Sequence, residues 1–180
     1  FKIQKAIPMP SVCLYFQVHQ PRRLRRYSFF DVGRLHDYED GEENRRILDR
    51  VAGKCYLPAN ALLLELMDRY EGKFRVAFSL SGVALDQLER HRPDVLESFQ
   101  RLGATGCVEF LNETDCHSLA FLFSPREFRA QVLRHKERIR TLFGQSSRTF
   151  RHTELIYSND LAEAVEKLGY GTLLAEGTEK

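Results

Sequence analysis

Phe74-Arg75-Val76-Ala77-Phe78-Ser79-Leu80-Ser81-Gly82 is a short apolar run that stops at a serine and a glycine. A helical period follows from Ala84 to Leu102, broken at Pro93, and then a second strand-like run, Cys107-Val108-Glu109-Phe110-Leu111. Two strands separated by a helix cannot form a hairpin; they predict a crossover between parallel neighbours. The same alternation extends in both directions. Upstream, Ile47, Leu48, Val51 and Ala52 form one helical stripe, which Pro58 is expected to end. Leu62, Leu63, Leu66, Met67 and Tyr70 form a second stripe, closed by Gly72. Val12-Cys13-Leu14-Tyr15-Phe16-Gln17-Val18-His19 is β-branched and aromatic and reads as the first strand. Downstream, Ser124 is placed to cap a long helix over Pro125 to Phe143 that stops at Gly144. Thr149 to Tyr157 reads as strand, Asp160 to Leu168 as helix, and Thr172 to Ala175 as strand.

Five strands with helical connections between them predict an α/β fold with a parallel sheet. No GxGxxG or Walker-type glycine loop follows any strand, which disfavours the nucleotide-binding members of that class. A β/α barrel is the remaining architecture, and a closed barrel typically takes about 250 residues. The 180 residues therefore read as a single domain, 1–180, that supplies the first part of a larger barrel. An unclosed barrel leaves a sheet edge exposed, so either continuation of the chain or self-association is expected.

Composition narrows the function classes. Lys and Arg total 27 against 25 Asp and Glu, and 43% of residues are hydrophobic. A net charge of +2 on a mixed surface argues against a dedicated nucleic-acid binder. No apolar run approaches the roughly 20 residues of a membrane span. Cys13, Cys55, Cys107 and Cys116 form no CxxC pair and no zinc-ribbon spacing, so free thiols and a cytoplasmic location are expected. Arg22, Arg23, Arg25 and Arg26, followed by Asp37, Glu39, Asp40, Glu42 and Glu43, read as a solvated loop.

In a parallel barrel the chemistry collects where strands end. Alternation places Cys13, Tyr15, Gln17 and His19 on one face of the first strand. It groups Cys107, Glu109, Leu111 and Glu113 in the third run, and Phe150, His152 and Glu154 in the fourth. His19, Glu109 with Glu113, and Glu154 are thus expected to converge on one pocket. His117 follows the third strand and reads either as part of that pocket or as a loop histidine; His36, His91 and His135 read as surface residues. No HExxH or His/Cys pair supports a zinc site, and no cofactor is called for. Facing carboxylates are the working parts of most glycosidases, one ionised and one held protonated.

Three stretches carry a resemblance: His19-Gln20-Pro21; Thr105-Gly106-Cys107-Val108-Glu109-Phe110-Leu111 with Glu113 and His117 behind it; and Phe150-Arg151-His152-Thr153-Glu154-Leu155-Ile156-Tyr157. In order and spacing they resemble the first three sequence regions of glycoside hydrolase family 57. Lys54 to Asn60 and Phe78 to Gly82 are similar to its α-amylase branch. The resemblance implies an incomplete, seven-stranded β/α barrel acting on α-1,4-glucans such as starch, glycogen or maltodextrin. It implies Glu154 as the nucleophile of a retaining mechanism, with His19, Glu109 and His117 lining the subsite for the reacting sugar. The family's general acid is an aspartate in a later region, and no residue of this chain is assigned that role. Arg151 stands where transferase members often carry an aromatic residue, which favours a hydrolase. The alternatives are a 4-α-glucanotransferase of the same family and a non-catalytic glucan-binding homologue. A downstream aspartate at a later strand end separates enzyme from binder.

Overall fold

The computed structural model describes residues 12–177; the outermost parts of the 1–180 span lie outside them. Among the described residues five short strands alternate with helices: β1 (Tyr15–Val18), α1 (Gly41–Val51), α2 (Leu57–Arg69), β2 (Val76–Leu80), α3 (Gly82–His91), α4 (Pro93–Ala104), β3 (Val108–Leu111), α5 (Pro125–Phe143), β4 (Thr149–Arg151), α6 (Asn159–Lys167) and β5 (Thr172–Leu174). β1, β2 and β3 pair in parallel, with Val18 opposite Leu80 and Ser79 opposite Leu111. β4 and β5 form a second parallel pair, and a single parallel bridge, Asn112 to Phe150, joins the two sheets. Spatial order therefore follows chain order, which is the singly wound arrangement. With right-handed crossovers that order sends every helix to the same face of the sheet.

The core obeys this rule. Val18, Phe78, Leu80, Val108 and Phe110 leave one face of the first sheet and pack on Leu48, Leu63, Met67, Leu85, Leu88, Phe99, Leu102 and Ile139 from five helices. Phe150 continues the layer against Phe128, Val132, Leu161 and Val165. The opposite face carries Tyr15 and Gln17 from β1, Ser79 from β2, Glu109 and Leu111 from β3, and Arg151 from β4. Period-2 alternation fixes this division. A polar face on a parallel sheet is unusual, because such sheets are normally apolar on both sides.

α5 has the predicted limits. The Ser124 side chain accepts the Glu127 N–H, Pro125 opens the first turn, and Gly144 ends the helix with φ 66°. The break at Pro93 is also present, between α3 and α4. Pro58 behaves differently from expectation. The chain stays helical from Gly41 to Arg69, because Ala52–Tyr56 widens into a π-turn in which the Leu57 N–H donates to the Ala52 carbonyl. The wider turn shifts the bonding register, so Pro58, which has no N–H, falls in the opening turn of α2. The fourth strand is also shorter than predicted. It stops at Arg151, and the chain then enters a tight turn in which Glu154 (φ 59°) and Leu155 (φ 56°) are left-handed.

The loop after β1 folds back on itself. Leu24 bridges Glu39, while Arg22 pairs with Glu39 and with Asp86 of α3. At the start of α3, Gly82 has no room for a side chain, since a Cβ would lie 2.5 Å from the Asp115 carbonyl oxygen. That approach brings the segment after β3 against the end of β2.

Candidate active site

Four strand ends deliver one connected group of polar side chains. His19, just past β1, has its Nδ1 in a 2.7 Å hydrogen bond with the Ser81 hydroxyl, which also caps α3 by accepting the Ala84 N–H. The His19 ring stacks on His117, with centroids 3.9 Å apart and planes 22° apart. His117 sits in the loop after β3 with φ 50°. Its Nδ1 lies 2.9 Å from Glu113 Oε2, and its Nε2 lies 3.3 Å from the Gln17 amide nitrogen and 3.9 Å from Glu154 Oε1. Arg151 closes the group. Its guanidinium donates to Gln17 Oε1 at 2.9 Å and to Glu113 Oε2 at 3.4 Å. One layer back along β1 and β2, the Tyr15 and Ser79 hydroxyls are 2.6 Å apart.

Burial divides the two carboxylates. The Glu113 side chain is fully buried and paired with Arg151, as a charge inside a protein must be. Glu154 has 69% of its side chain exposed, and its Oε1 comes within 4 Å of the His117 ring. It is therefore the carboxylate that an incoming molecule can reach. Two successive left-handed residues without glycine, one of them leucine, cost on the order of 1–3 kcal/mol each. That strain turns the chain sharply enough to aim Glu154 back over the ends of β1 and β3. Burial lowers the His19 pKa below the usual histidine value, and the neighbouring His117 lowers it further.

Two buried histidines support the group from behind. His135 of α5 is fully buried; its Nε2 donates to the Leu80 carbonyl at 2.8 Å and its Nδ1 accepts the Glu113 N–H at 3.3 Å. The expectation of a surface residue is thus corrected. A helical stripe of Phe128, Val132, His135 and Ile139 faces inward, and the histidine occupies the point where two strand ends need a donor and an acceptor. His152 is caged by Phe121, Phe128 and Phe150 with neither ring nitrogen completing a hydrogen bond.

Burial lowers the pKa of both; the Thr153 backbone partly offsets this at His152, and the Glu113 charge does so at His135. The unfolded chain protonates these rings near pH 6.5, and the folded chain resists. Their contribution to stability is therefore complete above about pH 6.5 and is lost as the pH falls from there toward the lowered folded-state values. Replacing His152 by Leu should flatten the fall, because one fewer proton is linked to unfolding. Urea titrations between pH 5.5 and 7.5 measure the slope, and an unchanged slope would show that His152 is not linked.

Of the residues expected in the pocket, His19, His117 and Glu154 are brought together, and Glu113 joins them. Glu109 is not. It pairs in register with Ala77, accepts from the Ser147 hydroxyl at 2.6 Å, and lines the amino-terminal mouth of the sheet with Leu14 and Gln145. Glu113 lies four positions further along the chain, roughly 13 Å along a strand. Alternation reported its face correctly but could not report its height. Arg151 was not expected in the pocket, because the fourth strand was predicted to run through Glu154, and alternation counted from Glu154 put Phe150 and His152 on the inner face. The left-handed turn breaks that count, so Phe150 packs in the helix-side core and Arg151 takes the inner face. Gln17 shared the predicted face of β1 without being given a role. Among the described residues no group of three His, Cys, Asp or Glu side chains is arranged to hold a metal ion. The four cysteines are free.

The family model of glycosyl hydrolase family 57 matches residues 13–180. This chain belongs to glycosyl hydrolase family 57. It is 39% identical over 167 residues to a protein of Methanocaldococcus jannaschii named "Putative alpha-amylase", covering 92% of this chain and 35% of that one. Its fold is similar to the 4-alpha-glucanotransferase from Thermococcus litoralis, with a TM-score of 0.68 at 17% identity over 89% of this chain and 21% of that one. It is also similar to the alpha-amylase AmyC from Thermotoga maritima, with a TM-score of 0.63 at 15% identity over 92% of this chain and 39% of that one. The family 57 chain thus spans about a third of the length of its Methanocaldococcus relative. Among the described residues no helix is long and apolar enough to cross a membrane.

Proposed function

We propose that this chain is the amino-terminal part of a retaining α-glucan hydrolase, and that its five strands begin an incomplete, seven-stranded β/α barrel. The substrate is an α-1,4-glucan, Glu154 is the nucleophile, and His19 and His117 contact the reacting sugar. The observation that carries the reading is the placement of Glu154: an exposed carboxylate in strained backbone at the carboxyl end of β4, beside two stacked imidazoles, in a chain of this family. The ionised Glu154 attacks the anomeric carbon as the glycosidic oxygen takes a proton from a general acid, and a covalent glycosyl-enzyme forms. Water, activated by the same acid in its base form, then releases the sugar with its configuration retained. We place that acid in the remainder of the protein. Glu109 has no part in the step, given its position at the far mouth of the sheet.

The test is to incubate the full-length protein with a fluorinated glucosyl donor that traps the intermediate, then map the adduct by peptide mass spectrometry. The label is expected on the peptide that holds Glu154, and a label elsewhere overturns the assignment. Product analysis on maltoheptaose separates hydrolysis, which gives only shorter sugars, from transfer, which also gives longer ones.

A further inference from the structure

Glu113, Gln17 and Arg151 are not needed to describe attack by Glu154, yet they converge on the His117 ring beside it. Each of the two ring nitrogens meets a group that dictates its protonation. On one side, the Glu113 carboxylate stands 2.9 Å from Nδ1 and can only accept, so the proton sits on Nδ1. On the other side, Arg151 donates to Gln17 Oε1 at 2.9 Å, which turns the amide nitrogen of Gln17 toward Nε2 at 3.3 Å. An amide N–H there requires a lone pair on Nε2. Two independent contacts therefore specify the same state, the neutral Nδ1–H tautomer. The left-handed backbone of His117 and its stack on His19 hold the ring in place.

We propose that Glu113 and the Arg151–Gln17 pair are positioning residues that keep His117 as the neutral Nδ1–H tautomer against Glu154. This rests on the reading of Glu154 as nucleophile. A neutral ring leaves the carboxylate free to attack. A second proton on Nε2 would form an ion pair with Glu154 Oε1, now 3.9 Å away, and withdraw its electron pair from reaction. The charged and titratable groups facing the ring are His19 from the end of β1, Glu113 from the segment after β3, Arg151 from β4, and His152 and Glu154 from the following turn. Among them Glu113 and Glu154 favour the second proton; Arg151, with the amide it orients, opposes it.

The two partners should consequently act in opposite directions. In the full-length enzyme, Glu113→Gln removes an anion and should move the acid limb of kcat/KM to lower pH. Arg151→Met removes a cation and releases the Gln17 amide, and should move the limb to higher pH, each by about one pH unit. A merely structural role would lower the rate without moving the limb. Limbs that stay in place, or move together, overturn the proposal. The wild-type enzyme provides a check that does not depend on the variants folding. Histidine-selective 15N labelling should show the His117 signals of the Nδ1–H tautomer at pH 7.5, and an Nε2–H pattern overturns the proposal. This spectrum does not involve Glu154 chemistry. A correct tautomer with an adduct mapped to another residue would therefore reject the nucleophile and leave the tautomer lock standing.

Discussion

Glu154→Gln should reduce maltodextrin turnover by on the order of 10^4-fold while glucan affinity changes little. The amide is isosteric and keeps an acceptor, but it cannot form a glycosyl ester that water later opens. A 10^4-fold loss corresponds to about 5 kcal/mol of transition-state stabilisation. The fold should be unaffected. Glu154 is exposed and makes no hydrogen bond that the turn depends on, and Gln tolerates the φ of 59° no worse than Glu does. Equal thermal midpoints for the two proteins would verify this, and binding of maltoheptaose by calorimetry would verify the affinity. Chemical rescue sharpens the test. Glu154→Ala opens space on the attacking face, and added azide should take the nucleophile's place and give a glucosyl azide of inverted configuration. A Gln variant with near-normal turnover would remove Glu154 from the mechanism.

Much of the architecture was legible because it is written in short-range chemistry. Ser124, Pro125 and Gly144 delimit α5, and they act through groups within a few residues of each other. Alternation in β1 and β3 named the inner face correctly, since period 2 is a property of the strand itself. Three features were not legible, and each depends on where a segment sits in space. The height of Glu109 on the sheet follows from the stagger of neighbouring strands, which no single strand encodes. The end of β4 depends on a left-handed turn at Glu154 and Leu155, residue types that give no local warning of it. The helical continuity through Pro58 depends on a π-turn, a rare element that shifts the bonding register by one. The resemblance singled out Glu154 as a candidate, whereas Arg151 and Gln17, which bond to each other beside His117, lie 134 residues apart and meet only in the fold.

His135 shows the same limit from the side of stability, and His135→Ala should cost about 3–5 kcal/mol. Two losses combine. Removing the ring strands the Leu80 carbonyl and the Glu113 N–H in a fully buried site, and each unsatisfied group costs about 1–3 kcal/mol. The ring volume also becomes a cavity among Phe128, Val132 and Ile139 of the same helix face, with little freedom to collapse. The total is a large share of the roughly 5–15 kcal/mol that holds a domain folded. His135→Gln should cost less, because an amide carries both a donor and an acceptor and fills more of the space. Urea denaturation at pH 7.5, where the wild-type ring is neutral, ranks the three proteins. The loss should also reach the site. Leu80 precedes Ser81, which holds His19, and Glu113 holds His117, so His135 ties together the two strand ends that set the stacked pair. At a temperature where the Gln variant is fully folded, its kcat/KM should still fall below wild type by more than its folded fraction explains. An Ala variant within 1 kcal/mol of wild type would mean that water or a shift of the strands satisfies both backbone groups, and that the strand ends keep their spacing without the histidine.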